Sequence, residues 1–313
     1  MNAPAAVVSA PTILDAPESR FPLDLGNRIP RIRDLFHVAS RNQWNPATDI
    51  PWDELHPEQY TEEQRYAARM YWSRRAWGEY GAISESPALQ IRFCQEKHAP
   101  DMRLFFTIRS QEESRHAEAC YRVAEGLGGY IEQPVQTAFQ GSVATHGVRK
   151  LALDPSSPLE CVIAALVCAA EEIAFDVFRQ LVDITTNPAA RQVVKLIMRD
   201  EVRHCAFGWH FMASRVPHLS PEELERVRQA VITMIEKVEL NGYHSAWLAP
   251  DNPASRAEVE WDRITWEAGL GATVEELEKP VFVDSIQRIR RQMKESWNMD
   301  LPLFTHPKIA GAF

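Results

Sequence analysis

Two short stretches of this chain repeat one pattern: Gln111-Glu112-Glu113-Ser114-Arg115-His116-Ala117 and Arg199-Asp200-Glu201-Val202-Arg203-His204-Cys205. Both read acid-Glu-x-Arg-His. On a helix, residues i and i+3 share a face, so Glu113 with His116, and Glu201 with His204, can each point inward together. Carboxylate oxygen and imidazole nitrogen are ligands that suit iron, manganese or zinc. One Glu-x-x-His is a common accident in a chain this long. Two copies, each with Arg before the His, point to a fold that turns the inner faces of two helices toward each other.

The surrounding sequence is helical almost throughout from Thr61 onward, which makes the chain all-α. Thr61-Glu62-Glu63 opens a helix that runs to about Lys97, and His98-Ala99-Pro100-Asp101 is the turn into the next, which ends at Gly126-Leu127-Gly128-Gly129. The stretch 130–156 is mixed, with room for a short helix near its middle. Pro158 begins a third long helix ending near Thr186. Asn187-Pro188 starts a fourth, ending near Val216-Pro217. Ser220-Pro221-Glu222-Glu223 is a capping-box opening, and two more helices fit 254–269 and 273–296. The expected organisation is a flexible tail over 1–20, a Pro- and aromatic-rich strap over 21–60 with a short helix near Ile32–Ala39, a four-helix bundle over 61–217, and helices over 218–313 packed on it as one domain. Trp44 and Trp52 of the strap are expected to pack onto the body.

Two Glu-x-x-His motifs, plus one Glu from each of the other two helices, build a dinuclear carboxylate site. In an antiparallel hairpin, residues equidistant from the turn lie level. With turns centred near 99–100 and 187, the partner of Glu113 falls near 86 and that of Glu201 near 173. Glu85 and Glu172 fit. Glu79 is a rival to Glu85, but Arg75 four residues before it suggests a solvated face. Glu171 is a rival to Glu172, which is preferred because its spacing mirrors that of Glu85. Metal-bound imidazole usually donates its other N–H to a carboxylate. Glu112 and Asp200, each just before a motif Glu, are placed to reach the His of the opposite motif. Arg115 and Arg203 either back the acid cluster or lie on the surface. No catalytic residue is assigned beyond the ligands.

A formal net charge of −9 gives no electrostatic support for nucleic acid or an anionic membrane. Five scattered cysteines show neither zinc spacing nor a disulfide pattern, as expected of a reducing compartment. The apolar run Cys161–Ala170 is too short to span a bilayer, and the N-terminus lacks a signal-peptide pattern. A cytoplasmic protein is the expectation.

With these residues in place the chain resembles the ferritin-like carboxylate-bridged diiron oxidases and oxygenases over about 61–217. AISESPA followed by ESRH, and ECVIAALVCAAEEIAFDVF followed by RDEVRHCAFG, look most like the aldehyde-deformylating and aminobenzoate N-oxygenase branches. The N-oxygenase branch carries an additional His one turn before the last Glu, where this chain has Ile197. The resemblance implies a ferritin-like four-helix bundle with additional N- and C-terminal helices. It implies two Fe ions, or Mn with Fe, held by Glu85, Glu113, His116, Glu172, Glu201 and His204. It also implies O2 as co-substrate and oxidation of a small organic substrate by N-oxygenation, hydroxylation or oxidative cleavage. No flavin, Rossmann or iron–sulfur motif is visible, so electrons are expected from an external ferredoxin or reductase. A homodimer is compatible with these expectations. The alternatives are a ferroxidase or iron-handling protein, and a structural or partner protein whose metal staples the bundle.

Overall fold

The computed structural model describes residues 25–26, 28–132, 151 and 154–313. The expected tail over 1–20 lies outside them, as does most of the mixed stretch 130–156. Nine α-helices are described: α1 Pro30–Arg41, α2 Glu62–Gln95, α3 Pro100–Gly126, α4 Leu159–Ala165, α5 Glu172–Ile184, α6 Pro188–Arg215, α7 Pro221–Lys237, α8 Pro253–Glu267 and α9 Glu275–Trp297. A π-helical turn, Leu166–Glu171, joins α4 to α5 into one long rod. Among the described residues the only β-pairing is an isolated antiparallel bridge between His306 and Ile309.

Local chemistry sets the helix ends. Thr61 and Gln64 form a capping box ahead of α2, and Ser220 and Glu223 form another ahead of α7. Asn187 caps α6 with its side-chain oxygen, which accepts from Ala190 N at 3.0 Å. Its amide donates to Leu55 O and to the Tyr60 hydroxyl, each at 3.0 Å, so one residue both starts a helix and anchors the strap.

Helices α2 and α3 form one antiparallel hairpin, and the α4–α5 rod with α6 forms the other. α1 lies against α3 and α6, α7 against α4, α8 against α2, and α9 against α5. Along the bundle the apolar core falls into two clusters. One is rich in phenylalanine, with Phe93, Phe105, Phe106, Phe207 and Phe211. The other holds Trp72, Val123, Leu181, Val193 and Ile197. Every core helix passes from one cluster to the other through a polar level at the motif residues. Among the described residues no helix is long and apolar enough to cross a membrane.

Candidate metal centre

The polar level is a ring of largely buried carboxylates around two buried imidazoles. Ligand-type atoms of Glu79, Glu113, His116 and Glu201 lie within 4.8 Å of one another, and so do those of Glu113, Glu171 and His204. The two groups share Glu113. His116 Nδ1 lies 3.6 Å from Glu113 Oε2, 3.3 Å from Glu201 Oε1 and 3.7 Å from Glu79 Oε2. His204 Nδ1 lies 3.5 Å from Glu113 Oε1 and 2.9 Å from Glu201 Oε2. Glu113 and Glu201 therefore each offer one oxygen to either histidine, the posture of a bridging carboxylate. Glu79 stands at the His116 end and Glu171 at the His204 end.

These approaches are close, yet Nδ1 of His116, Nδ1 of His204 and Oε2 of Glu171 are buried and make no hydrogen bond. Buried polar atoms without partners are costly. Three of them aimed into one carboxylate ring fit a site built for cations: the nitrogens offer lone pairs and the carboxylates the balancing charge.

The opposite nitrogens are held from behind. His116 Nε2 meets Asp200 Oδ2 at 3.3 Å, and His204 Nε2 meets Glu112 Oε2 at 3.0 Å. Each acid reaches across to the other motif's histidine, as expected from the sequence, and leaves Nδ1 facing the ring. Arg203 Nη2 bonds both Glu112 and Asp200, Arg115 Nη2 lies 3.4 Å from Asp200, and both arginines are buried. They back the acid cluster and are not surface residues. Trp44 was expected only to pack; its indole also donates to Asp200 at 2.8 Å, a link without any local sequence signal.

The carboxylates set the protonation state. Burial alone would lower the pKa of His204, but Glu201 and Glu112 outweigh it and raise it to about 10. Burial is likewise outweighed at His116 by its bond to Asp200 and the surrounding carboxylates, and its pKa rises. Burial pushes Glu171 up to about 7. At Glu113 burial is opposed and overcome by Arg109, and at Glu201 by the two imidazoles, so both stay ionised. A cation entering this ring competes with protons on the imidazoles.

The four motif residues Glu113, His116, Glu201 and His204 come together as expected. The two upstream acids do not: Glu79 and Glu171 converge on the ring in place of Glu85 and Glu172. Helices α2 and α3 are separated by 96–99, so the position level with Glu113 is near 82, midway between Glu79 and Glu85. Depth cannot choose between them. Six residues turn a helix through about 240° net, so the two leave the helix in different directions. Glu85 is buried, lines the adjoining cavity and acts on the charge of Arg109. The Arg75–Glu79 pair is present at 3.8 Å, but on a mostly buried face, where Arg75 stacks 3.8 Å from the Phe178 ring centroid. In the second hairpin the gap is 185–187, centred one residue before the expected turn, which makes Glu171 level with Glu201. Glu172 is occupied elsewhere: Trp209 Nε1 donates to Oε1 at 2.6 Å and Arg288 Nη1 to Oε2 at 2.6 Å, tying α5 to α6 and α9.

A cavity of about 300 Å³ opens from the ring. It is lined by Glu79, Glu113, Glu171 and Glu201 of the ring, by the apolar Ala82, Ala174, Val177 and Phe178, and by Tyr243, His244, Trp247 and Glu278 from the C-terminal part of the chain. Residues 243–247 and helices α8 and α9 thus contribute to the cavity.

The fold is that of a ferritin-like helical bundle. No family model matches the chain, and no curated protein matches it. Solved structures do. An R2-like ligand-binding oxidase with an aerobically reconstituted metal cofactor after photoconversion is similar at 17% identity over 83% of this chain and 92% of its own, with a TM-score of 0.62. A point variant of an R2-like ligand-binding oxidase, with aerobically reconstituted Mn/Fe cofactor, is similar at 17% identity over 87% of this chain and 98% of its own, with a TM-score of 0.61. At this identity the likeness is one of fold.

Proposed function

We propose that the chain is a dinuclear non-haem metal oxidase that uses O2 to oxidise a small organic substrate. The ligands are Glu79, Glu113, His116, Glu171, Glu201 and His204. The observation that carries this reading is the pair of unbonded Nδ1 atoms, each facing separate oxygens of the same two carboxylates. Two iron ions, or Mn with Fe as the structural neighbours' descriptions name, fit the same donor set.

Bound there, such a pair of ions supplies the redox chemistry with O2. The chain's own residues do the rest. Asp200 and Glu112 fix the imidazoles by holding Nε2–H. Glu113 and Glu201 balance charge at both stations. The Phe105–Phe207 stack, with ring centroids 4.6 Å apart, backs His204 and excludes water from that side. Ala82, Ala174, Val177 and Phe178 give the cavity an apolar wall that favours the hydrocarbon part of a small substrate. The electrons come from an external ferredoxin or reductase.

The test is anaerobic loading with ferrous iron followed by exposure to O2, watched by stopped-flow absorbance and Mössbauer spectroscopy. About two irons per chain and a rapid oxidation of both are expected. A well-folded chain that saturates at one iron, or whose iron is inert to O2, rules the reading out.

A further inference from the structure

The two halves of the metal centre are not equivalent, and one side chain makes the difference. Arg109 stands on α3, one turn before Glu113, with only 5% of its side chain exposed. Its Nη2 bonds Glu171 Oε1 and lies 2.9 Å from Glu113 Oε1, while Nη1 bonds Ser86. Those carboxylate oxygens belong to the His204 station: Glu113 Oε1 is the oxygen that faces His204. The matching position on α6, four residues before Glu201, is Ile197, which is fully buried and carries no charge. Among the described residues, Glu79, Glu113 and Glu201 face His116; Glu113 is shared by both stations, and no ion pair joins Glu201 to an arginine. Arg75 pairs with Glu79, but no closer than 3.8 Å.

We propose that Arg109 is a built-in counter-ion of the Glu171–His204 station, so that the two stations load unequally, the Glu79–His116 station first. This rests on the dinuclear reading above. The guanidinium already neutralises the carboxylates that a second cation needs. That cation must displace Arg109 from Glu171 and Glu113 or bind beside a fixed positive charge, and either lowers its affinity. The first cation meets at Glu79 only the more distant Arg75, 3.8 Å away.

The test uses Mn(II) alone, titrated into the full-length chain and followed by electron paramagnetic resonance, which distinguishes an isolated ion from a coupled pair. In the wild type the first equivalent is expected as isolated ions, with the second dissociation constant at least about tenfold above the first. Arg109→Gln keeps a hydrogen-bond donor and removes the charge; coupled pairs should then appear at the first equivalent, as the two constants converge by about tenfold or more. Arg109→Lys keeps the charge but cannot span Glu171, Glu113 and Ser86 at once, so the constants should converge partly. Arg75→Gln, which removes the charge paired with Glu79, should not bring the constants together. Equal constants in the wild type, or a ratio unmoved by both Arg109 variants, overturns the proposal while leaving the dinuclear reading standing. A folded chain that takes up no Mn(II) and no Fe(II) overturns both.

Discussion

At the scale of single residues, the site is a problem of charge. Glu79, Glu113, Glu171 and Glu201 converge at one level of the bundle, and acids in that number are not buried together without compensation. Replacing Glu79 or Glu171 by Ala is therefore expected to remove or cripple one ion per chain by metal analysis. Glu172→Ala should leave metal content near two. It should instead lower the melting temperature, by a loss of about 1–3 kcal/mol, because Trp209 and Arg288 lose their acceptor. Metal loss in Glu172→Ala with full retention in Glu171→Ala would return the ligand role to Glu172. The supports are tested separately. Asp200→Asn and Glu112→Gln keep the size of each side chain but weaken its hold on the imidazole, and metal affinity should fall about 10–100-fold without loss of helicity. The reach of Glu112 and Asp200 across to the opposite histidines was legible in the sequence because both follow from helical spacing. Arg109 was not: a lone arginine one turn before a motif Glu looks like any i,i+4 partner until Glu171 is seen beside it.

At the scale of elements, the informative feature is the π-helical turn Leu166–Glu171, which inserts an extra residue per turn and ends on the carboxylate that faces the ring. Deleting one residue within it, such as Ala169, should restore regular α-helix and leave the flanking segments in nearly their present phase, because the turn takes up one extra residue. The expected product is a folded helical protein that keeps about two ions per chain; loss of an ion in that variant would mean that the wide turn itself positions Glu171. Directly opposite, Gly208 lets α6 approach this turn. A Cβ there would meet Val167 Cγ1 at 2.7 Å and Cys168 Sγ at 2.9 Å. Gly208→Ala gains about 1 kcal/mol of helix propensity but overpacks a contact that costs about 1–3 kcal/mol. Val167 is β-branched and buried, so overpacking should win. A drop in melting temperature checks it, and a rise would show that the rod can shift.

At the scale of the whole molecule, the bundle and its added helices bury a large core on both sides of the site. The metal-free chain should therefore melt cooperatively by circular dichroism, and loading should raise the midpoint. An ion at 100 times its dissociation constant adds about 2.7 kcal/mol. Loss of the cooperative melt without metal would favour a stapling role. The C-terminal side of the cavity has its own signature. Burial pushes Glu278 up from 4.5 to about 7, opposed only in part by donors from Ser245 and Trp247. A carboxyl whose folded pKa is raised stabilises the fold below its ordinary pKa, and that contribution is lost as pH rises through about 7. Wild-type stability should then fall between about pH 5 and 8, by on the order of 2–3 kcal/mol at most. Glu171, also pushed up to about 7, adds to the same slope, so Glu278→Gln should reduce it in part; an unchanged slope would mean that Glu278 does not titrate in this range.

The sequence by itself determined the all-α class, the helix ends at Thr61, Asn187 and Ser220, the two Glu-x-x-His motifs and the acids behind their histidines. Each of these is a local property: a cap needs its own first turn, and a helical face repeats within one or two turns. The upstream acids were decided only by the tertiary structure. Choosing Glu79 over Glu85 and Glu171 over Glu172 depends on where each turn is centred and on the phase of a helix that contains a π-turn, quantities that packing fixes across two helices at once. The same holds for Arg109 meeting Glu171, for Trp44 meeting Asp200, and for the cavity lining at His244, Trp247 and Glu278. Those partners are far apart along the chain, and only the burial of a shared core brings them together.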